Sequence, residues 1–193
     1  MTLGDGGSSL LRQHFTGVSG DEEVDRKSKE LAIVYNLPLV VTSPVNDPAE
    51  PTQSGFGVIA MRGKPSVLAE SGQQGILRIE EVETHLVGLR NILIHLGMKS
   101  GQIVDTVKRT FLDAWICVRS EVVGMWYPAV SLNEQISKGQ VVGVVRDYFG
   151  QDIVEIKAPA DGIVALVRTS PATQVGTVLV EYPPRLAGHE AEQ

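Results

Sequence analysis

The chain has one cysteine, Cys117, in 193 residues. No disulfide can therefore close within it, and its stability must come from an ordinary core. Such sparing use fits a reducing, cytoplasmic setting. Cys117 lies in the apolar run Ala114-Trp115-Ile116-Cys117-Val118, where a buried structural thiol is expected. Clustered positive charge is also missing. The net charge is -6, with no Lys/Arg cluster, which argues against nucleic acid or an anionic membrane as a partner. No apolar run approaches the roughly 18 to 20 residues needed to span a bilayer. The first residues, Met1-Thr2-Leu3-Gly4-Asp5-Gly6-Gly7, lack the basic-then-apolar order of a signal peptide.

Motifs for several chemistries are absent as well. The histidines are His14, His85, His95 and His189, and none sits in His-x-x-Glu or His-Glu-x-x-His, the spacings that hold zinc. Glu81 and His85 lie one helical turn apart and read as a surface contact. His95 falls in a last helical turn, where the helix dipole favours a cation. There is no Gly-x-Ser-x-Gly nucleophile elbow, and Gly4-Asp5-Gly6-Gly7 follows no strand, so it is no dinucleotide fingerprint. Metal binding by this chain alone is not expected.

What is present is an ordinary globular composition, 42% hydrophobic and 21% charged. Ser19 to Tyr35 has helical periodicity, with Ser19 and Glu22 spaced as a capping box and Val24, Leu31, Ala32 and Tyr35 on one face. Asn36 can end that helix, and Leu37 to Thr42 reads as a buried strand. Ser43 to Ser54 carries Pro44, Pro48 and Pro51 and reads as a loop. A short helix over Gly55 to Met61 and a strand over Ser66 to Glu70 follow. Ile79, Val82, Leu86, Leu89, Leu93 and Leu96 then repeat at three- and four-residue steps, the apolar face of a long helix. Glu80, Glu81 and Glu83 fall in its early turns, and Gly97 caps it. This order is α/β layering.

After Arg109 the pattern changes to short Val/Ile runs between Gly and Pro turns: Ala114 to Arg119, Tyr127 to Val130, Val141 to Asp147, Ile153 to Lys157, Ile163 to Arg168 and Val178 to Tyr182. These make an all-β module. The expected division is an α/β domain over residues 1–110, a β barrel-sandwich-like module over 111–183 and a disordered tail over 184–193. The opening Gly-Gly-Ser-Ser run reads as a loop. Trp115 and Trp126 read as core anchors.

Glu70 is the leading candidate for chemistry. It ends a Pro-flanked apolar strand and precedes Ser71-Gly72-Gln73-Gln74-Gly75, a turn that lets backbone approach a ligand. Open α/β sheets bind ligands beyond the carboxyl ends of their strands. From the residues alone, Glu70 is either a solvated acid at a strand end or a general acid/base.

In the β module, Lys138-Gly139-Gln140 and Lys157-Ala158-Pro159-Ala160-Asp161-Gly162 resemble the barrel of biotinyl and lipoyl carrier domains. The tip that would carry their lysine corresponds to Tyr148-Phe149-Gly150-Gln151-Asp152, which holds none. A rigid cap is therefore preferred to a swinging arm.

Three blocks together resemble the carboxyl-terminal half of the succinylglutamate desuccinylase/aspartoacylase family of zinc-dependent amidohydrolases. They are Leu68-Ala69-Glu70-Ser71-Gly72 with Gly75-Ile76-Leu77; Gly88 to Leu93 through Leu96-Gly97-Met98; and Gly124 to Pro128, Lys138 to Gly143 and Ala158 to Gly162. The resemblance covers about Ser19 to Tyr182. It implies a partial zinc-carboxypeptidase-like sheet-and-helix domain followed by the β module. It also implies a small acyl-amino acid substrate, a zinc-activated water, and Glu70 at the position of the proton-moving glutamate. The family's His-x-x-Glu pair and its arginine motif have no counterpart here, and Thr2 falls where a ligand histidine is expected. No zinc ligand is carried over. The expectation is a truncated or split family member, inactive alone, with an upstream polypeptide supplying the ligands and a homo-oligomer as a further option. The alternative is a non-catalytic binding or assembly protein that uses the β module or an open sheet edge.

Overall fold

The computed structural model describes residues 8–44, 55–112 and 114–184. They fall into two compact units. One is drawn from residues 12–44, 55–72, 76–112 and Ala114, the other from residues 8–11, 73–75 and 115–184. In chain order the elements are β1 (Ser8–Leu10), β2 (Gln13–Val18), α1 (Glu22–Tyr35), β3 (Leu39–Pro44), α2 (Gly55–Met61), β4 (Val67–Glu70), α3 (Ile79–His95) and β5 (Thr110–Leu112). Nine further strands follow: β6 (Ile116–Arg119), β7 (Gly124–Pro128), β8 (Gln135–Ile136), β9 (Val141–Arg146), β10 (Asp152–Lys157), β11 (Gly162–Ile163), β12 (Leu166–Arg168), β13 (Ala172–Thr173) and β14 (Val178–Tyr182). The result is a mixed α/β architecture with several sheets.

The first unit is built on a sheet of order β4-β2-β3-β5. β2, β3 and β5 run parallel, and β4 joins β2 antiparallel. The β2-α1-β3 connection is the crossover that a parallel pair needs. Its helix starts two residues beyond the expected capping box. Asp21 is the cap, accepting from the backbone N–H of Glu23 and Val24, while Ser19 hydrogen-bonds Asp25 instead. Asn36 ends α1 in the left-handed conformation, φ 74°, as its residue type favours. The proline-rich stretch at 45–54 lies outside the described residues.

α3 has the expected bounds but the opposite orientation. Its buried residues are Glu81, His85, Gly88 and Asn91, whereas Leu86, Leu89, Leu93 and Leu96 are exposed. Specific partners explain the inversion. Asn91 Nδ2 donates to the carbonyls of Val34 and Val104, and Asn91 Oδ1 accepts from Val104 N–H. At Gly88 the ring of Tyr35 presses against the helix, into the space a Cβ would fill. Turning the leucines inward would break these hydrogen bonds.

The second unit contains sheets of order β1-β12-β14-β6 and β10-β9-β7-β13 and a small β8-β11 pair. No sheet closes into a barrel among the described residues. The core is Trp126, Val142, Val145, Val164, Leu179, Val180 and Tyr182 with their neighbours. Ser8–Leu10, read as loop, is a strand paired antiparallel with β12. Pro184, placed in the tail, bridges to Gly162, and residues 185–193 lie outside the described set. Cys117 is exposed rather than buried. Strand alternation sends Val118 inward and Cys117 outward, leaving Sγ 3.1 Å from Glu181 Oε1. The β9–β10 turn is at Asp147–Gln151, where the Asp147 carboxylate accepts from Phe149 and Gln151 N–H.

Candidate functional site

Glu70 is the last residue of β4, in register with Gln13 of β2. β4 is one edge of the sheet among the described residues and runs antiparallel to β2, so Glu70 stands beside the amino ends of β2 and β3, not at the carboxyl ends where the sequence suggested a ligand site. Gln13 is fully buried, and its amide Nε2 lies 3.4 Å from Glu70 Oε2. The Glu70 side chain is half-buried, so it keeps access to solvent while its base is held by the sheet. Gly72 follows two residues later with φ 102°, a conformation that side-chain-bearing residues avoid, and turns the chain sharply away.

Between them, Ser71 is fully buried and tied into a relay. Tyr35 OH lies 2.7 Å from His85 Nδ1, and His85 Nε2 lies 2.9 Å from Ser71 Oγ. The Glu81 carboxylate accepts from Arg12 Nε at 2.9 Å and Nη2 at 3.1 Å. In a neutral imidazole one ring nitrogen donates and the other accepts, so the Tyr35 and Ser71 bonds to His85 run in one direction along the relay. Burial pushes the Tyr35 phenol up to about 12 and the His85 imidazole below its ordinary value, which keeps both neutral. Burial raises Glu81, but the Arg12 guanidinium beside it outweighs that, and the net shift is downward. The residue after Glu70 is thus tied to α3 through His85 and, through His85, to Tyr35 of α1.

Glu81 and His85, read as a surface pair, are instead buried, His85 in this relay and Glu81 against Arg12. Their signal in the sequence was position. Both occupy the face of α3 that also carries Gly88 and Asn91, opposite the leucines. His14 sits nearby on β2, fully buried, its ring centroid 5.1 Å from that of Tyr35. Neither ring nitrogen completes a hydrogen bond among the described residues. Burial first, then the charges of Arg109 and His85, lower its pKa to about 3. His95 pairs with Glu30 at 3.5 Å, and His189 lies outside the described residues.

The described residues by themselves do not make a zinc site. Among the described residues no group of three His, Cys, Asp or Glu side chains converges on one point. Both nitrogens of His85 are already engaged, and His14 packs edge-on against the Tyr35 ring. A cleft of about 330 Å³ opens in the same unit, lined by Arg12, Asn36, Leu37, Glu80, Thr84 and Thr106 among others. Glu70 is not part of its lining.

No family model matches the chain. It is 27% identical over 169 residues to the N-alpha-acetyl-L-2,4-diaminobutyric acid deacetylase of Halomonas elongata, covering 84% of this chain and 48% of that one. Among solved structures it is similar to the product-bound ectoine utilization protein EutE (DoeB) of Ruegeria pomeroyi, with a TM-score of 0.79 at 20% identity, covering 94% of this chain and 56% of that one. A succinylglutamate desuccinylase from a Silicibacter species aligns with a TM-score of 0.77 at 21% identity, covering 92% of this chain and 54% of that one. The family resemblance read from the sequence is borne out: the chain has the fold of solved succinylglutamate desuccinylase/aspartoacylase proteins. It spans about half the length of the curated relative it matches.

Proposed function

We propose that this chain supplies the proton-transfer half of an N-acyl amino acid deacylase site, with Glu70 as its acid/base. The observation that carries the reading is the anchoring of Glu70. It stands half-exposed at the end of β4, against Gln13, and the next residue is locked by the Ser71–His85–Tyr35 relay. A carboxylate held this way can accept a proton from an attacking water and return it to the departing amine nitrogen. Likeness to the Halomonas deacetylase supports small acyl-amino acids as the substrate class. Zinc, expected from the family, would need ligands from outside the described residues.

The test is release of the acyl group from N-acetylated diamino acids, using the chain alone and the chain mixed with the amino-terminal half of the Halomonas enzyme. Zinc-dependent activity is expected only in the mixture. Glu70→Gln should lower it at least about a hundredfold, the scale of a lost general acid/base. A Glu70→Gln mixture as active as the parent would overturn the reading. The second reading, a non-catalytic binding or assembly protein, is favoured by the edge position of β4 and the outward leucines of α3. Inactivity of every sample would favour it.

A further inference from the structure

We infer that the outward face of α3 is a dimerisation seam that takes a second copy of this chain, helix against helix and antiparallel. Ile79, Leu86, Leu89, Leu93 and Leu96 are 39 to 63% exposed, and Val82 lies in line with them, half-buried. Such a concentration of large aliphatic side chains on one helix is not ordinary surface.

Their spacing identifies the occupant. The steps from 79 to 96 alternate three, four, three, four, three. A helix that buries a face against its own domain shows a broad stripe. A strict alternation of threes and fours is instead the narrow seam that one helix offers another helix. It also lies beside the inward face of α3, which Glu81, His85, Gly88 and Asn91 already fill. The seam is therefore additional to the fold of its own unit.

A two-fold axis makes the same patch meet itself. Across an axis perpendicular to α3, Ile79 meets the partner's Leu96, Val82 meets the partner's Leu93, and Leu86 meets the partner's Leu89. All these pairs are aliphatic. On the solvent side of the seam lie Glu83 and Arg90, both exposed and neither in an ion pair among the described residues. In the antiparallel register they flank the central layers, and Glu83 faces the partner's Arg90 twice, once on each side of the axis. The charges match only when the second helix is a copy of the first, or a close imitation of it. A parallel pairing brings Glu83 nowhere near the partner's Arg90.

Sedimentation velocity from about 1 to about 100 µM tests this. The chain should pass from monomer to dimer in that range. Leu86→Glu and Leu89→Glu should each abolish the dimer without changing the circular dichroism spectrum, because both positions are exposed. Glu83→Arg or Arg90→Glu alone sets like charges against each other twice and should weaken association at least about tenfold. The double reversal restores opposite charges and should recover it to within about threefold. A chain that stays monomeric throughout overturns the inference, including the case in which another polypeptide covers the seam. A dimer indifferent to Leu86→Glu overturns it too, as does a double reversal no better than either single one.

Discussion

Gly88 of α3 lies flat against the ring of Tyr35 on α1, so a Cβ at position 88 would fall among ring atoms Cδ1, Cε1 and Cζ. Tyr35 cannot swing aside, because its hydroxyl is bonded to His85 and its ring edge meets His14. In an exposed helix, Gly→Ala stabilises by about 1 kcal/mol. Here overpacking, typically about 1 to 3 kcal/mol, should win. Gly88→Ala is expected to lower the urea midpoint, and a raised midpoint would show that the ring yields.

Tyr35→Phe keeps the ring and removes only the hydroxyl bonded to His85 Nδ1. An orphaned buried polar group costs about 1 to 3 kcal/mol, so a loss of that size is expected in denaturant unfolding. Ser71→Ala breaks the same relay one link further on. Because the two changes strike one network, the double variant should lose less than the sum of the singles.

His14 makes stability depend on pH with a definite sign. Its pKa drops from 6.5 to about 3 on folding. Between those values the unfolded chain binds a proton that the folded chain refuses. This contribution is complete above pH 6.5 and is lost as pH falls towards 3. At about 1.4 kcal/mol per unit, the loss approaches several kcal/mol at the acid end. Unfolding measured at pH 7.5, 6 and 5 should show a steady decline. His14→Leu should flatten that decline, and an unchanged slope would assign the acid sensitivity to other groups.

Cys117 should react with a maleimide in the native protein, to completion and without denaturant, since its side chain faces outward from β6. Mass spectrometry of the intact chain reads the outcome. Labelling that requires urea would contradict the exposed position.

Most secondary structure was legible because it follows from local rules. Asn36 ending α1, the bounds of α2 and of α3, and the strands β9, β10 and β14 all come from residue type and periodicity. Elements that depend on a distant partner were not. Ser8–Leu10 is a strand only because β12 is there to pair with it. The run around Cys117 is apolar on average, but its alternation in the sheet sends the thiol outward.

The candidate site divides the same way. Glu70 at the end of a strand before a glycine turn could be read directly from the chain, because strand, turn and carboxylate are adjacent in sequence. The relay behind it could not. Tyr35, Ser71 and His85 come from α1, the turn after β4 and α3, and only packing brings their polar atoms within hydrogen-bond reach.

The amino-acid order by itself determined the helices, most of the longer strands and which residue heads the list for acid/base chemistry. Local propensity and short-range capping suffice for that. The direction in which α3 presents its two faces was decided by tertiary structure alone. Periodicity marks an apolar stripe without saying what covers it. The polar face went inward because Tyr35, Ser71 and the backbone at Val34 and Val104 offered its side chains partners, and the leucines were left to solvent.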